Sequence, residues 1–424
     1  SSALIGCIIG SSLSVLFAMR LGRKNSLVFA GICFFISAWG SMFPESWILT
    51  NGKPTLNLLV VFNLYRVLGG IGVGMASAIC PMYIGEVAPS NIRGMLVSWN
   101  QFAIIFGQLV VYFVNFIILG GHSNPIYNAA GAIANMADAQ WTITTGWRYM
   151  FGSECIPAAL FTIFICFVPE TPRYLVMIKQ DKKALDVLTR INGTEKAIEI
   201  LSDIKNTISV KKEKLFSYGF MCIFIGIMLS VFQQAVGINA VLYYAPRIFQ
   251  DMGMENPMVQ TVIMGIVNIS FTLVAVFTVE KLGRKPLLIW GSIGMAIGAL
   301  GVAITFGNPS LNILTMVSIM IYSASFMFSW GPICWVLIAE IFPNTIRGTA
   351  VAIAVAFQWI FNFIVSSTFV PMFNMHLSHG DNFGHWFTYG IYGLICVIAA
   401  VFVWKLVPET KGKTLEDMTK LWKK

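Results

Sequence analysis

Charged residues are scarce in this sequence of 424 residues. They make up 11% of the chain and hydrophobic residues make up 57%, whereas a soluble globular protein has about 25% charged residues. This composition argues against a soluble protein. The mean hydropathy of +0.75 and the repeated apolar runs of about 18–25 residues predict an all-α polytopic membrane protein.

Clusters of residue types that bind metals or perform catalysis are also missing. The eight cysteines stand singly in apolar runs, and the sequence has no CxxC pair and no Cys/His group with metal spacing. It shows no nucleophile–base pair and no phosphate-binding glycine loop. The glycines of residues 69–74 lie inside an apolar run, where they favour close helix packing. We therefore expect no enzyme, no metal and no cofactor.

The net charge of +9 is concentrated in alternate loops. Lysine and arginine gather at residues 20–24, 173–214, 281–285 and 405–424, and the loops between them hold few. This alternation follows the positive-inside rule of membrane proteins and argues against a nucleic-acid partner. We expect the basic loops on the cytoplasmic side of the plasma or inner membrane.

The apolar runs predict about eleven transmembrane helices. The only sizeable polar stretch between them has lysines and acids at helical spacing, and it predicts a cytoplasmic helical linker. We divide the chain into an N-terminal transmembrane bundle (1–168), the linker (169–216), a C-terminal transmembrane bundle (217–406) and a cytoplasmic tail (407–424). The predicted helices span residues 3–19, 26–43, 58–85, 95–119, 146–168, 217–250, 259–279, 287–306, 311–340, 348–374 and 385–406.

The two predicted bundles repeat each other. Halves of equal orientation, related by an axis along the membrane normal, suit an alternating-access transporter. The second half has two predicted helices before its LGRK loop and the first half has one, so we expect the first of twelve helices to be absent. Three segments recur in order: RLGRK (20–24) as KLGRK (281–285), EVAPSNIRG (86–94) as EIFPNTIRG (340–348), and VPET (168–171) as VPET (407–410).

Residues 232–246 place uncharged polar side chains in an apolar run long enough to cross a bilayer. Unpaired amides are costly in hydrocarbon, so such groups normally face protein or a water-filled cavity. Gly237 and Pro246 allow the helix to break, which lets the polar groups converge. Neutral amides and hydroxyls suit an uncharged, polyhydroxylated ligand, because they both donate and accept hydrogen bonds. The alternative is that they only join neighbouring helices.

These segments resemble the sugar porter family of the major facilitator superfamily. Each motif is weak alone, but together they cover the whole chain in the family's order. Stretches 99–108, 146–151 and 329–335 are similar to its proton-coupled members. The resemblance implies the major facilitator fold, with two pseudo-symmetric helix bundles. Its motifs are both LGRK loops, both E-x-x-P-x-x-x-R-G loops, PETPR (169–173), QQ-x-x-GIN (233–239) and PETKG (408–412).

The resemblance also implies a sugar pocket built from both bundles. Gln101 and Gln108 lie two helical turns apart, so both can face one cavity. Trp335 offers a flat apolar face to sugar C–H groups. Interhelical hydrogen bonding is the alternative for the amides, and the interfacial aromatic belt is the alternative for Trp335. The expected substrate-binding residues are Gln101, Gln108, Gln233, Gln234, Asn239, Tyr243, Asn268, Gly331, Trp335 and Gln358.

Arg66 and Glu154 are the charged residues best placed within the membrane, where charges are rare and usually functional. The resemblance implies that the proton-accepting carboxylate of proton-coupled members is an aspartate on the first helix, which we expect to be absent. We assign Arg66 and Glu154 to proton coupling, and one expectation is that, without that aspartate, they pair. The alternative is that Arg66 snorkels towards the outer surface.

The charges repeated in the basic loops predict a cytoplasmic gate. Salt bridges between helix ends would hold it closed when the transporter faces outward and part when it faces inward. Exposed pairs are worth about 0–1 kcal/mol each, which suits a gate that opens. The alternative is that the charges only set topology. The expected gate residues are Arg23, Glu86, Arg93, Glu170, Arg284, Glu340, Arg347 and Glu409.

The sequence as a whole predicts a secondary transporter for a neutral monosaccharide, xylose or a hexose. We expect alternating access, a proton as co-substrate, and a monomer in the lipid bilayer. Three alternatives stay open: an uncoupled sugar facilitator, a sugar sensor that does not transport, and an inactive truncated chain.

Overall fold

The fold is known from a computed structural model. It describes residues 2–46, 56–89, 92–120, 136–209, 215–252, 257–343, 345–375, 383–411 and 422. The described residues form helices and contain no strand, which confirms the all-α fold. The α-helices are α1 (Ser2–Arg20), α2 (Arg23–Met42), α3 (Leu56–Val87), α4 (Arg93–Leu119), α5 (Met136–Trp141), α6 (Trp147–Ser153), α7 (Cys155–Phe167), α8 (Pro172–Met177), α9 (Asp181–Asn192), α10 (Thr194–Ser209), α11 (Phe220–Ala235), α12 (Ile238–Tyr243), α13 (Ala245–Asp251), α14 (Pro257–Leu282), α15 (Arg284–Thr305), α16 (Asn312–Phe328), α17 (Trp330–Ile341), α18 (Arg347–Phe373) and α19 (Phe383–Leu406).

Eleven spans among the described residues are long and apolar enough to cross a membrane, which confirms the expected number. One of them, Ala137–Phe167, combines α5, α6 and α7 through a π-helical turn at Thr142–Gly146. This span begins nine residues before the predicted start at 146. The earlier turns contain three threonines and an aspartate, which lower the hydropathy without preventing helix formation.

The helix predicted at 217–250 is broken twice, as its glycine and proline suggest. Gly237 has φ 88° and ψ 4°, a left-handed conformation that glycine adopts without steric cost, and it separates α11 from α12. Pro246 lies in the first turn of α13, where its missing N–H leaves no helical hydrogen bond unmade. The polar side chains of this stretch therefore lie on separate short helices.

A second break separates α16 from α17 and occurs at Ser329, with φ −129° and ψ −89°. Gly331 and Pro332 lie in the first turn of α17. Proline is tolerated in the first turn of a helix, so the chain leaves the helical conformation just before it.

Two hydrophobic clusters stabilise the helices. The larger one fills the second half of the chain and contains the fully buried Tyr322, Trp330 and Tyr389. The smaller one lies between α1, α2 and α3. Helices α1 and α3 approach backbone to backbone, because a Cβ on Gly70 would lie 1.9 Å from the carbonyl oxygen of Ala3. The glycine-rich run at 69–74 thus gives the close packing expected of it.

The two halves meet through α1 against α18, α4 against α14, and α17 against α3 and α4. Helices α8–α10 form a small cluster of their own. It is joined to the membrane helices where the Tyr174 hydroxyl donates to the carbonyl of Arg20 at 3.0 Å. We call the end of the molecule that carries Arg23 and Arg284 the basic face. The division of the chain at 168, 216 and 406 stays a prediction.

Candidate functional site

The centre of the second half holds a chain of buried amides that joins three helices. Gln233 of α11 donates from Nε2 to the carbonyl of Trp330 at 3.1 Å and to that of Gly331 at 3.4 Å. Gln358 of α18 donates from Nε2 to Oε1 of Gln233. Both glutamines are at most 5% exposed. The end of α11, the first turn of α17 and the middle of α18 are therefore linked by side-chain amides.

A second amide pair lies across the break between α11 and α12. Asn239 donates from Nδ2 to Oε1 of Gln234 at 2.6 Å. Gln234 is buried and Asn239 is half-buried. The turn at Gly237 brings the two side chains together, as the sequence predicted for a broken helix.

Two buried polar atoms in this region have no hydrogen-bond partner among the described residues. Asn268 of α14 accepts a hydrogen bond from Ser323 at 2.6 Å through Oδ1, but its Nδ2 has no partner. Oε1 of Gln358 is also without one. A buried polar atom left unpaired costs about 1–3 kcal/mol. These two atoms offer one donor and one acceptor to a ligand.

The first half reaches the same region through Gln101 of α4. This side chain is buried, and its Nε2 lies 3.6 Å from the position that a Cβ on Gly331 would take. Trp335 follows Gly331 by four residues, so the two share one face of α17. Trp335 is half-buried, whereas Cys334 and Val336 beside it are almost fully buried. Gln101, Gly331 and Trp335 therefore line one wall between the halves.

Gln108 connects the halves farther from the basic face. Its Nε2 donates to the hydroxyl of Tyr112 at 2.8 Å, and this hydroxyl donates to the carbonyl of Leu242 at 3.2 Å. The contact joins α4 to α12. Tyr112 lies one helical turn from Gln108, and this spacing was the only signal of its role in the sequence.

Tyr243 lies between the two halves. Its side chain is 50% exposed, yet its hydroxyl interacts with Asn362 of α18 and is close to both Tyr112 and Cys7. These neighbours come from both halves. Asn362 lies one turn after Gln358 and was not predicted.

Arg66 and Glu154 lie close together, as expected. The Arg66 Nη1 atom is 3.8 Å from Oε2 of Glu154, and the guanidinium also lies 4.9 Å from the ring centroid of Phe151. Both charged side chains are partly exposed. The ion pair is long, so the carboxylate is held loosely.

At the basic face of the first half, Arg23 binds Glu86 through Nη2 at 2.7 Å. Glu170 is also among the residues expected to form salt bridges of the gate. Glu170 instead accepts hydrogen bonds from the backbone N–H groups of Arg23 at 3.1 Å and Lys24 at 3.1 Å. These groups lie at the N-terminus of α2, where free N–H groups favour an anion. The side chain of Arg93 lies outside the described residues.

The second half repeats this geometry and extends it. Arg284 binds Glu340 at 2.9 Å and Glu280 at 3.0 Å, and Glu409 accepts from the backbone N–H groups of Arg284 at 3.0 Å and Lys285 at 2.9 Å. Glu280 and the hydroxyl of Thr410, which donates to Glu340 at 2.6 Å, were not predicted.

Arg347 is also an expected gate residue, and that role stays a prediction. Its Nη2 donates to the carbonyl of Phe342 at 3.4 Å, which stabilises the turn between α17 and α18. The ion pairs of the basic face connect helices within one half: Arg23 with Glu86 in the first, and Arg284 with Glu340 and Glu280 in the second.

The central cluster combines amides and hydroxyls from both halves with an aromatic face, and none of these side chains is charged. Such a set binds neutral hydroxyl groups as donors and acceptors. Among the residues that the structure describes, no group of three His, Cys, Asp or Glu side chains is placed to hold a metal ion.

Comparisons with known proteins agree with this geometry. Residues 1–422 match the family model for sugar (and other) transporters. The chain is 47% identical over 433 residues to the D-xylose-proton symporter of Escherichia coli (strain K12), covering 100% of this chain and 85% of that protein. It is 34% identical over 433 residues to the glucose facilitated diffusion protein of Zymomonas mobilis subsp. mobilis, covering 100% and 86%.

The fold is similar to a solved structure of XylE, a proton:xylose symporter of the major facilitator superfamily, bound to 6-bromo-6-deoxy-D-glucose. The TM-score is 0.85 and the identity 47%, and the match covers 100% of this chain and 88% of that one. The resemblance to sugar porters and the major facilitator fold are thereby confirmed. The chain belongs to the sugar transporter family.

Proposed function

We propose that this protein moves a neutral monosaccharide, xylose or a hexose, together with a proton across a membrane by alternating access. The observation that carries the proposal is the buried, uncharged cluster in which Nδ2 of Asn268 and Oε1 of Gln358 have no partner among the described residues. A sugar hydroxyl both donates and accepts, so it satisfies both kinds of atom. The identity to a D-xylose-proton symporter supports the same substrate class and the proton.

Alternating access requires that the halves separate on one side of the sugar at a time. Trp359 of α18, which follows the site residue Gln358, donates from Nε1 to the hydroxyl of Ser77 of α3 at 3.0 Å. Tyr112 bonds the carbonyl of Leu242. Both bonds join the two halves, and each contributes only about 1 kcal/mol, so each can break in turn.

The proton step is assigned to Glu154 and Arg66. Protonation of Glu154 removes the charge that faces Arg66 across 3.8 Å, so it changes the force between α3 and the segment that carries Glu154. A charged pair inside a membrane span is the feature expected of proton coupling.

The charge distribution supports the proposed orientation of the protein in the membrane. The basic loops support a cytoplasmic position for the basic face and the linker, by the positive-inside rule. There the arginine–glutamate pairs of each half hold the helix ends together as part of the gate. We propose that the protein acts as a monomer in the cytoplasmic membrane.

Transport by purified protein in proteoliposomes tests the function. Adding D-xylose outside lightly buffered vesicles is expected to give uptake and to make the outside medium more alkaline. Glu154→Gln is expected to keep sugar binding and to lose the pH change. Asp186→Asn is the matched control, because Asp186 lies in the linker and pairs with Arg190 at 2.9 Å.

Each alternative has its own outcome in this experiment. Uptake without any pH change would identify a facilitator. Binding without uptake would identify a sensor. Failure to bind both D-xylose and D-glucose would overturn the proposal.

A further inference from the structure

At the break before Gly237, the carbonyl of Val236 takes no part in the backbone bonds that close the turn. Two backbone bonds close the turn: Gly237 N–H to the Gln234 carbonyl at 2.9 Å and Val241 N–H to the Gly237 carbonyl at 3.2 Å. The carbonyl of Val236 lies between these bonds and accepts a hydrogen bond from the hydroxyl of Tyr322 on α16. Val236 and Tyr322 are both fully buried. A carbonyl in such a place needs this partner, because water does not reach it.

The position of Tyr322 is fixed by its surroundings. A Cβ on Gly298 of α15 would lie 2.6 Å from the backbone nitrogen of Tyr322, so α15 and α16 are in close contact at this residue. The next residue, Ser323, donates to Asn268. One turn of α16 therefore contacts both the helix break and a buried amide of the candidate site.

A second tyrosine closes the other side of the break. A Cβ on Gly237 would lie 2.4 Å from the ring of Tyr392 on α19. The ring thus packs directly against the glycine, while the hydroxyl of Tyr392 has no hydrogen-bond partner among the described residues. Of these two tyrosines, Tyr322 bonds the backbone of the break and Tyr392 packs against it.

We infer that Tyr322 is a positioning residue for sugar binding: its hydroxyl fixes the helix break and thereby aligns Gln234 before the break with Asn239 after it. The inference rests on the proposed function. Tyr322 hydrogen-bonds the carbonyl of Val236 and acts on the sugar through that backbone. Losing the hydroxyl leaves that carbonyl unpaired and lets the turn relax, which separates the 2.6 Å pair of Asn239 and Gln234.

Binding of D-xylose to purified Tyr322→Phe tests the inference, with Tyr389→Phe as the matched control. Tyr389 is also fully buried in the second half, but its hydroxyl has no partner among the described residues. We expect the Kd of Tyr322→Phe to rise about threefold to tenfold, the range of one lost hydrogen bond. The Kd of Tyr389→Phe should equal that of the wild type. In transport, KM should rise while kcat changes by less than about twofold.

A second variant covers the case in which Tyr322→Phe does not fold. Fluorotyrosine incorporated at 322 keeps the ring and makes the hydroxyl a stronger donor, so it is expected to tighten D-xylose binding. The same replacement at 389 should have no effect.

The outcomes separate this inference from the proposed function. If the wild type binds neither D-xylose nor D-glucose, the proposed function is wrong. If the wild type binds sugar and the changes at 322 leave Kd and KM unaltered, or act no differently from those at 389, only the positioning role is overturned.

Discussion

Arg23 and Arg284 occupy equivalent places in the two halves of the molecule and make nearly equal bonds. Each guanidinium binds a glutamate of another helix, Glu86 at 2.7 Å and Glu340 at 2.9 Å. Each backbone N–H donates to a further glutamate, at 3.1 Å in the first half and 3.0 Å in the second. The basic face is therefore built in the same way twice.

The centre of the membrane region is different. Eight of the ten expected substrate-binding residues belong to the second half, and only Gln101 and Gln108 come from the first. Both helix breaks that shape the cluster, at Gly237 and Ser329, are also in the second half. The proposed function therefore assigns a mechanical role to the repeated ends of both halves and concentrates sugar recognition in the second half.

The largest effect is expected when one glutamate of the basic face is removed from each half in turn. The side chains of Arg23 and Glu86 are only 8% and 13% exposed, so Glu86→Ala leaves a buried charge unpaired and is expected to cost about 3 kcal/mol. Glu340→Ala should cost less, because Arg284 keeps Glu280 at 3.0 Å. Thermal unfolding in detergent measures both, and equal losses would show that Glu280 does not compensate.

Sugar affinity tests which half contributes more to sugar binding. Gln358→Ala removes both the acceptor offered to the sugar and the donor to Gln233, and we expect the Kd for D-xylose to rise about 10- to 100-fold. Gln101→Ala removes one group that the first half contributes and should raise the Kd by about tenfold or less. Asn63→Ala is the control, because within the described residues its amide bonds only the carbonyl of Leu59 in its own helix. A larger effect at Gln101 would place recognition in the first half.

The sequence predicted much of this architecture because repeated motifs and apolar runs are local signals. The eleven spans, the break at Gly237 and the equivalence of Arg23 and Arg284 follow directly from them. Tyr322 and Thr410 could not be predicted, since each acts through a contact with a segment distant in the sequence. The role of Glu170 was also missed, because its partners are backbone N–H groups that become available only where α2 begins.

A smaller effect is expected from the bond between Ser77 and Trp359. Ser77→Ala removes a contact worth about 1 kcal/mol that joins α3 of one half to α18 of the other. Hydrogen–deuterium exchange in α3 and α18 around these two residues should become about threefold to tenfold faster. The control is Ser230→Ala, since the Ser230 hydroxyl is buried with no partner among the described residues. Unchanged exchange would mean that this bond does not hold the halves together.

The smallest effect concerns two equivalent carboxylates whose pKa values are shifted in opposite directions from the ordinary 4.5. Burial raises the pKa of Glu170, and N–H groups of Thr171, Lys24 and Arg23 offset this only partly. Burial also acts on Glu409, but four backbone N–H groups outweigh it and lower its pKa. The stabilisation from Glu409 is thus present above pH 4.5 and is lost as the pH falls through its lowered pKa. That from Glu170 is present below pH 4.5 and is lost as the pH rises through its raised pKa.

Thermal unfolding of the glutamine variants across pH checks this difference. At pH 7, Glu409→Gln should lower the Tm by about 2 °C, whereas Glu170→Gln should leave it unchanged or raise it. Both differences should shrink at acid pH, where the wild-type carboxylates are protonated. Equal losses for the two variants at pH 7 would contradict the opposite shifts.

A structure of this protein with bound D-xylose tests the central claim most directly. The account predicts one sugar between the halves, hydrogen-bonded to Gln101 of the first half and to Gln234 and Gln358 of the second, with Trp335 against its C–H face. A sugar bound elsewhere, or held by side chains of one half alone, would contradict it.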